Sequence, residues 1–157
     1  MTHQYTATVS WTRNGESFSD NRYSRGHLWT FDGGVTVPAS ASPSVVPLPL
    51  SRADAVDPEE AFVAAVSSCH MLVFLSIAAK KRFVVDAYED RAVGIMTKNP
   101  GGKLFVSKIT LDPSIAFSGD KRPTPEQIAD MHHLAHQECF IANSVLTEIE
   151  VARLSPH

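Results

Sequence analysis

Cysteine is nearly absent from this sequence: Cys69 and Cys139 are the only two in 157 residues. Two thiols so far apart do not make a secreted disulfide scaffold. In a reducing compartment both default to thiols, so a disulfide between them would be transient and functional. The bland reading is a chance pair of buried cysteines. A dominant charge is also missing. The formal net charge is -3 and the pI about 6.1. That excludes the basic surface nucleic acid requires, and the acidic excess is too small to imply a partner. Residues 1–11 alternate polar and apolar and contain no apolar leader core, and no lipidation motif is visible. The expectation is a protein without a targeting segment, soluble and cytoplasmic. Internal repeats and low-complexity tracts are absent too.

What is present reads as one globular domain over residues 1–157, with 43% apolar and 20% charged residues. Residues 4–11 alternate as a half-buried strand, with Tyr5, Ala7, Val9 and Trp11 on one side. Asn14-Gly15 predicts a hairpin-type turn. Residues 27–31 predict a strand closed by Asp32-Gly33-Gly34, and the proline-rich residues 35–50 an extended, ordered loop. Residues 83–97 and 103–117 predict two long strands of an antiparallel hairpin turning at Asn99-Pro100-Gly101-Gly102. Pro113 marks a bulge or an edge. Thr124-Pro125-Glu126-Gln127 opens a helix running to about Glu138, and residues 144–151 alternate as a last strand. No βαβ repetition occurs, so the class is α+β.

The central feature is a helix from Pro58 to Lys81. Asp57 fits its N-cap, Pro58 its first position, and Glu60 completes a capping box. Residues 61–79 carry no formal charge and are apolar on nearly every face, which signals burial all round. The length reaches the membrane-spanning range. Ser67, Ser68, Cys69, His70 and Ser76 along it, and the amphipathic strands elsewhere, favour a buried core helix. A chain this small has little else to wrap such a helix, so an obligate homodimer is expected.

Cys69 lies mid-helix, about three turns from the N-terminus and beyond the reach of the helix dipole. Burial alone would raise its pKa. A working thiolate there needs a cation, best an arginine, whose fork holds both thiolate and peroxide oxygen. A buried arginine in turn needs a carboxylate. Glu60 is occupied by the cap, which leaves Glu59. Glu59 and Cys69 are about 15 Å apart along an ideal axis and roughly 80° apart around it, so they cannot touch directly. Cys139, at the end of the second helix, has the freedom a resolving thiol needs, or is simply packed.

At these residues the sequence resembles the OsmC/Ohr family, the osmotically induced and organic-hydroperoxide-resistance proteins. The resemblance rests on Asp57-Pro58-Glu59-Glu60-Ala61-Phe62 through Ala65, on Ser68-Cys69-His70, and on Ala135-His136-Gln137-Glu138-Cys139. It covers about residues 4–152. It implies an OsmC-like domain forming an intertwined homodimer, with antiparallel sheets wrapped around two central helices. It also implies a cysteine-based peroxidase for organic hydroperoxides, with hydrogen peroxide as a second candidate substrate. Cys69 matches the peroxidatic position and Cys139 the resolving one, joined in a redox-active disulfide. Glu59 matches the glutamate that holds the catalytic arginine. Arg25 is the preferred arginine because it precedes a strand that could pack on the site. Arg52 is the alternative, although Asp54 could pair with it at the surface. The family needs no cofactor and implies an external dithiol reductant, the lipoyl type among the candidates. Two departures mark a divergent branch: Phe140 stands where many members have proline, and residues 35–50 are unusually proline-rich. Val45, Val46, Leu48 and Leu50 offer an apolar lip for organic substrates.

Two rival readings remain. His132, His136 and Cys139, with His133 as an alternative, have spacings close to one helical face and could hold zinc. A noncatalytic module using an interface pocket for an apolar small molecule is the other. His70 is either a proton-transfer group or a hydrogen-bonded core histidine.

Overall fold

The computed structural model describes residues 2–152. The chain forms two compact units, Met1–Ala61 and Phe62–His157. The fold is α+β, with two helices of regular length and mainly antiparallel sheets.

The first unit holds β1 (Ala7–Ser10), β2 (His27–Phe31) and β3 (Thr36–Ala39), paired antiparallel in that order. β2 has its expected bounds. β1 is shorter than the alternation predicts, and all four of its residues are exposed. Alternation therefore marks a strand here but not a half-buried one. β3 was expected to be loop because it contains Pro38. As an edge strand it tolerates the missing N–H, and the Pro38 carbonyl still accepts the Val56 N–H at 3.0 Å. The Asn14-Gly15 turn forms with both residues at positive φ, 52° and 80°. Trp11, Phe18 and Tyr23 cluster beyond it, with ring centroids 4.7–5.9 Å apart and only Phe18 and Tyr23 stacked.

The long helix α1 (Pro58–Lys80) starts at the foreseen capping box. Asp57 Oδ1 accepts the Glu60 N–H at 2.7 Å, and Glu60 Oε2 accepts the Asp57 N–H at 3.2 Å. It ends in a Schellman-type turn: Phe83 N–H donates to the Ala78 carbonyl and Arg82 N–H to the Ala79 carbonyl. Arg82 takes the left-handed position, at φ 62°.

In the second unit α1 buries Val66, His70, Phe74 and Ala78, one stripe at four-residue spacing. The rest of its uncharged surface is partly or fully open, with Leu72 60% exposed. The helix is long and apolar enough to cross a membrane by length and composition, and only 22% of its most apolar window is buried. The expected all-round burial is thus not met within one chain.

The hairpin forms around its expected turn, but each arm breaks in two. β5 (Val93–Lys98) pairs with β6 (Leu104–Leu111), while β4 (Val84–Asp90) pairs with β7 (Pro113–Ser118) in a separate sheet. Pro113 and Asp90 explain the break. Proline cannot continue the ladder as a donor, and Asp90 Oδ1 accepts the Asp112 N–H at 2.7 Å across the bend. The other oxygen of Asp90 accepts the Ser67 hydroxyl of α1. Gly94 of β5 lets α1 come close: a Cβ there would lie 2.6 Å from Val63 Cγ2. The second helix, α2 (Pro125–Glu138), has the predicted Thr124 cap and Gln127 capping box. β8 (Glu148–Val151) is shorter than expected and runs parallel to β6. Phe74, Ala78, Phe83, Met131 and Ala135 form the core between α1 and α2, while Val66, Ile109 and Leu111 form a second cluster.

Candidate active site

The two cysteines come from elements that are remote in sequence. Cys69 is half-buried in the middle of α1, and Cys139 is fully buried as the C-cap of α2. Both are free thiols, and Cys139 lies close enough to Cys69 for the two sulfurs to interact electrostatically. Burial pushes the Cys139 pKa up, and the facing Cys69 sulfur raises it further. Cys139 is therefore held towards its protonated, thiol form.

The turn after α2 fixes Cys139. Ala142 N–H donates to Cys139 Sγ at 3.4 Å. Asn143 closes the turn: its Nδ2 donates to the Gln137 carbonyl at 2.8 Å and to the Cys139 carbonyl at 3.0 Å. These donors satisfy carbonyls that a helix end leaves without partners. Sequence reading missed Asn143. The only hint was an asparagine just past a helix end, where its side chain can act as a local cap.

His70 is a buried core histidine. Its Nε2 meets His132 Nδ1 at 2.9 Å, and the rings lie nearly parallel, 11° apart. Phe74 packs on His132 with centroids 4.4 Å apart. Burial drives both pKa values down to about 4, so both rings are neutral at physiological pH. This arrangement works against the zinc reading. His132 Nδ1 faces His70, and His133 Nε2 is 3.0 Å from Gln137 Nε2. Among the described residues no group of three or more His, Cys, Asp or Glu is placed to hold a metal ion.

The expected arginine and glutamate belong to the first unit, where the structure does not pair them. Arg25 Nη2 donates to Asn21 Oδ1 at 2.7 Å, and Nη1 donates to the Asn21 and Tyr23 carbonyls. The guanidinium lies over the Tyr23 ring, 3.8 Å from its centroid. Arg52 is held by Asp54 through two bonds of 3.1 and 2.9 Å, in an exposed pair, as its sequence neighbourhood suggested. Glu59 is half-buried in the first turn of α1 and has no hydrogen-bond or ion-pair partner among the described residues.

The model of the OsmC-like protein family matches residues 51–152, a span holding both cysteines and both helices. The chain belongs to the OsmC family. An OsmC-like protein of unknown function from Vibrio cholerae is 59% identical to it, with a TM-score of 0.93 over 96% of this chain and 98% of that one. An organic hydroperoxide resistance protein from Elizabethkingia anophelis shares the fold at 18% identity, with a TM-score of 0.69 over 96% and 94% of the two chains. Another V. cholerae protein, described as a putative organic hydroperoxide resistance protein with captopril in one of its active sites, is also 18% identical. Its TM-score is 0.68 over 98% of this chain and 94% of that one. At such identity these last two show the OsmC fold alone. No curated protein matches the chain.

Proposed function

We propose that this OsmC-family protein is a thiol peroxidase that reduces organic hydroperoxides. The observation that carries this reading is the meeting of two free thiols across α1 and the C-cap of α2. The Cys69 thiolate attacks the distal oxygen of the hydroperoxide, the O–O bond breaks, and an alkoxide leaves. Cys69 becomes a sulfenic acid. Cys139 attacks it, a disulfide forms, and water leaves. An external dithiol, for which the lipoyl type is a candidate, then reduces the disulfide. The raised pKa of Cys139 disfavours it as the first nucleophile, because the thiolate and not the thiol attacks peroxide.

Arg25 is assigned to hold the thiolate and the leaving oxygen, with Glu59 to orient it. Two facts support that choice over Arg52. The Arg25 guanidinium has no carboxylate partner among the described residues, and Glu59 is equally uncommitted. Arg52 already shares its fork with Asp54. The exposed Val45 and Leu48 support an apolar substrate. A second copy of the chain is proposed to cover the open face of α1, in a reducing, cytoplasmic setting that returns the thiols.

Intact mass after one equivalent of organic hydroperoxide tests the reading. Wild type loses two hydrogens per chain, and Cys139→Ser stops at a trappable sulfenic acid. Arg25→Met slows peroxide consumption about a hundredfold or more, while Arg52→Met has little effect. Full turnover by Cys69→Ser would end the proposal.

A further inference from the structure

One buried polar contact of the second unit has no part in the reaction above. His70 and His132 are 1% and 2% exposed, and their ring nitrogens meet at 2.9 Å. His70 directly follows Cys69 on α1. His132 lies seven residues before Cys139 on α2, and seven residues return a helix to nearly the same face. The bond therefore joins the two thiol-bearing helices, next to one thiol and on the face of the other. Phe74 packs on His132 and belongs to the same apolar core as Met131 and Ala135. Apolar packing presses helices together but tolerates sliding, whereas a hydrogen bond in such surroundings is strong and directional.

We propose that the His70–His132 hydrogen bond is a positioning clamp that holds Cys69 and Cys139 in apposition and so sets how fast their disulfide closes. The inference rests on the thiol-pair reading above. The step it governs is balanced: the S–OH bond of the sulfenic acid and the S–H bond of Cys139 break, the S–S bond forms, and hydroxyl and proton leave as water. The histidines act through helix placement and not on the reacting atoms.

The clamp also responds to acid. The first added proton brings charge into an apolar site, and a second would set N–H against N–H. His136 on α2 opposes that charge once it is itself protonated, while Asp90 on β4 favours it. Tyr88 on β4, packed on Phe74, contributes a neutral hydroxyl, since burial and Asp90 hold its proton on.

The test measures disulfide closure driven by diamide, a thiol oxidant that needs no peroxidase activity, with intact mass as the readout. His70→Phe keeps a ring and removes the bond. The double variant His70→Gln/His132→Asn puts amide atoms where Nε2 and Nδ1 stood, so it restores a bond that cannot titrate. At neutral pH, His70→Phe closes about tenfold more slowly, and the double variant stays within about threefold of wild type. As pH falls from neutral through about 4, where the pair takes up protons, the rate of the double variant relative to wild type rises severalfold, because general thiolate loss affects both alike. Equal rates for His70→Phe and wild type would overturn the clamp. If His70→Phe does not fold, a flat ratio across pH overturns it instead. Failure of Cys139→Ser to yield a sulfenic acid with hydroperoxide removes the peroxidase reading separately and leaves the diamide comparison in force.

Discussion

Among the described glycines, Gly94 has the least room for a side chain. Its missing Cβ is the space that Val63 of α1 occupies, at 2.6 Å from where a methyl would sit. Both neighbours are fixed, one by the β5–β6 ladder and the other by the helix. Gly94→Ala should therefore destabilise by about 1–3 kcal/mol, read as a lower urea midpoint. An unchanged midpoint would show that α1 can lift at no cost. The roles of single residues were unevenly legible in sequence. The capping residues Asp57, Glu60, Thr124 and Gln127 act within three positions of their partners, so local spacing was enough to identify them. The zinc set failed for a non-local reason. His132 spends its Nδ1 on His70, sixty-two positions away, and no helical spacing announces that. Asn143 was invisible because its value lies in two carbonyls at a helix end whose position was known only approximately.

Among the elements, the helices were well read because caps mark their ends. The expected strands other than β2 were read too long, because apolar alternation continues through a bend that Pro113 marked only as a bulge or edge and that Asp90 holds by a non-local hydrogen bond. The parallel pairing of β8 with β6 was likewise unreadable, since pattern reports which face is buried and not which neighbour is paired. The end of α1 yields a prediction of its own. Arg82 occupies a left-handed position that costs a side-chain-bearing residue about 1 kcal/mol. Arg82→Gly should leave stability unchanged or raise it by up to about 1 kcal/mol, measured by thermal or urea unfolding. A clear loss would mean that the arginine side chain contributes more than its backbone strain costs.

For the molecule as a whole, the neutral histidine pair makes stability depend on pH. The unfolded chain binds protons at these histidines near pH 6.5, while the folded protein resists until about 4. Between those values the unfolded state holds more protons, so stability is full above about 6.5 and falls as pH drops towards 4. Each histidine contributes a slope of about 1.4 kcal/mol per pH unit within that window. Urea midpoints at neutral and mildly acid pH check this, and the double variant His70→Gln/His132→Asn should flatten the curve. The open face of α1 leads to another expectation. Sedimentation should give twice the chain mass, and Leu72→Glu should shift it towards the single chain, because a charge there would be buried without a partner. A single-chain mass for wild type would leave the apolar face to another occupant. The divided hairpin also bears on how the chain finds its fold. Its two sheets share one turn, Asn99 to Gly102, and zipping outward from Lys98 and Leu104 to Val84 and Ser118 is the route with the shortest loops. Each new pair then closes only a short extra loop, so little chain entropy is lost at any step. A fault planted at Gly102, whose φ of 77° few other residues accept, would delay both sheets together, although neither contains it.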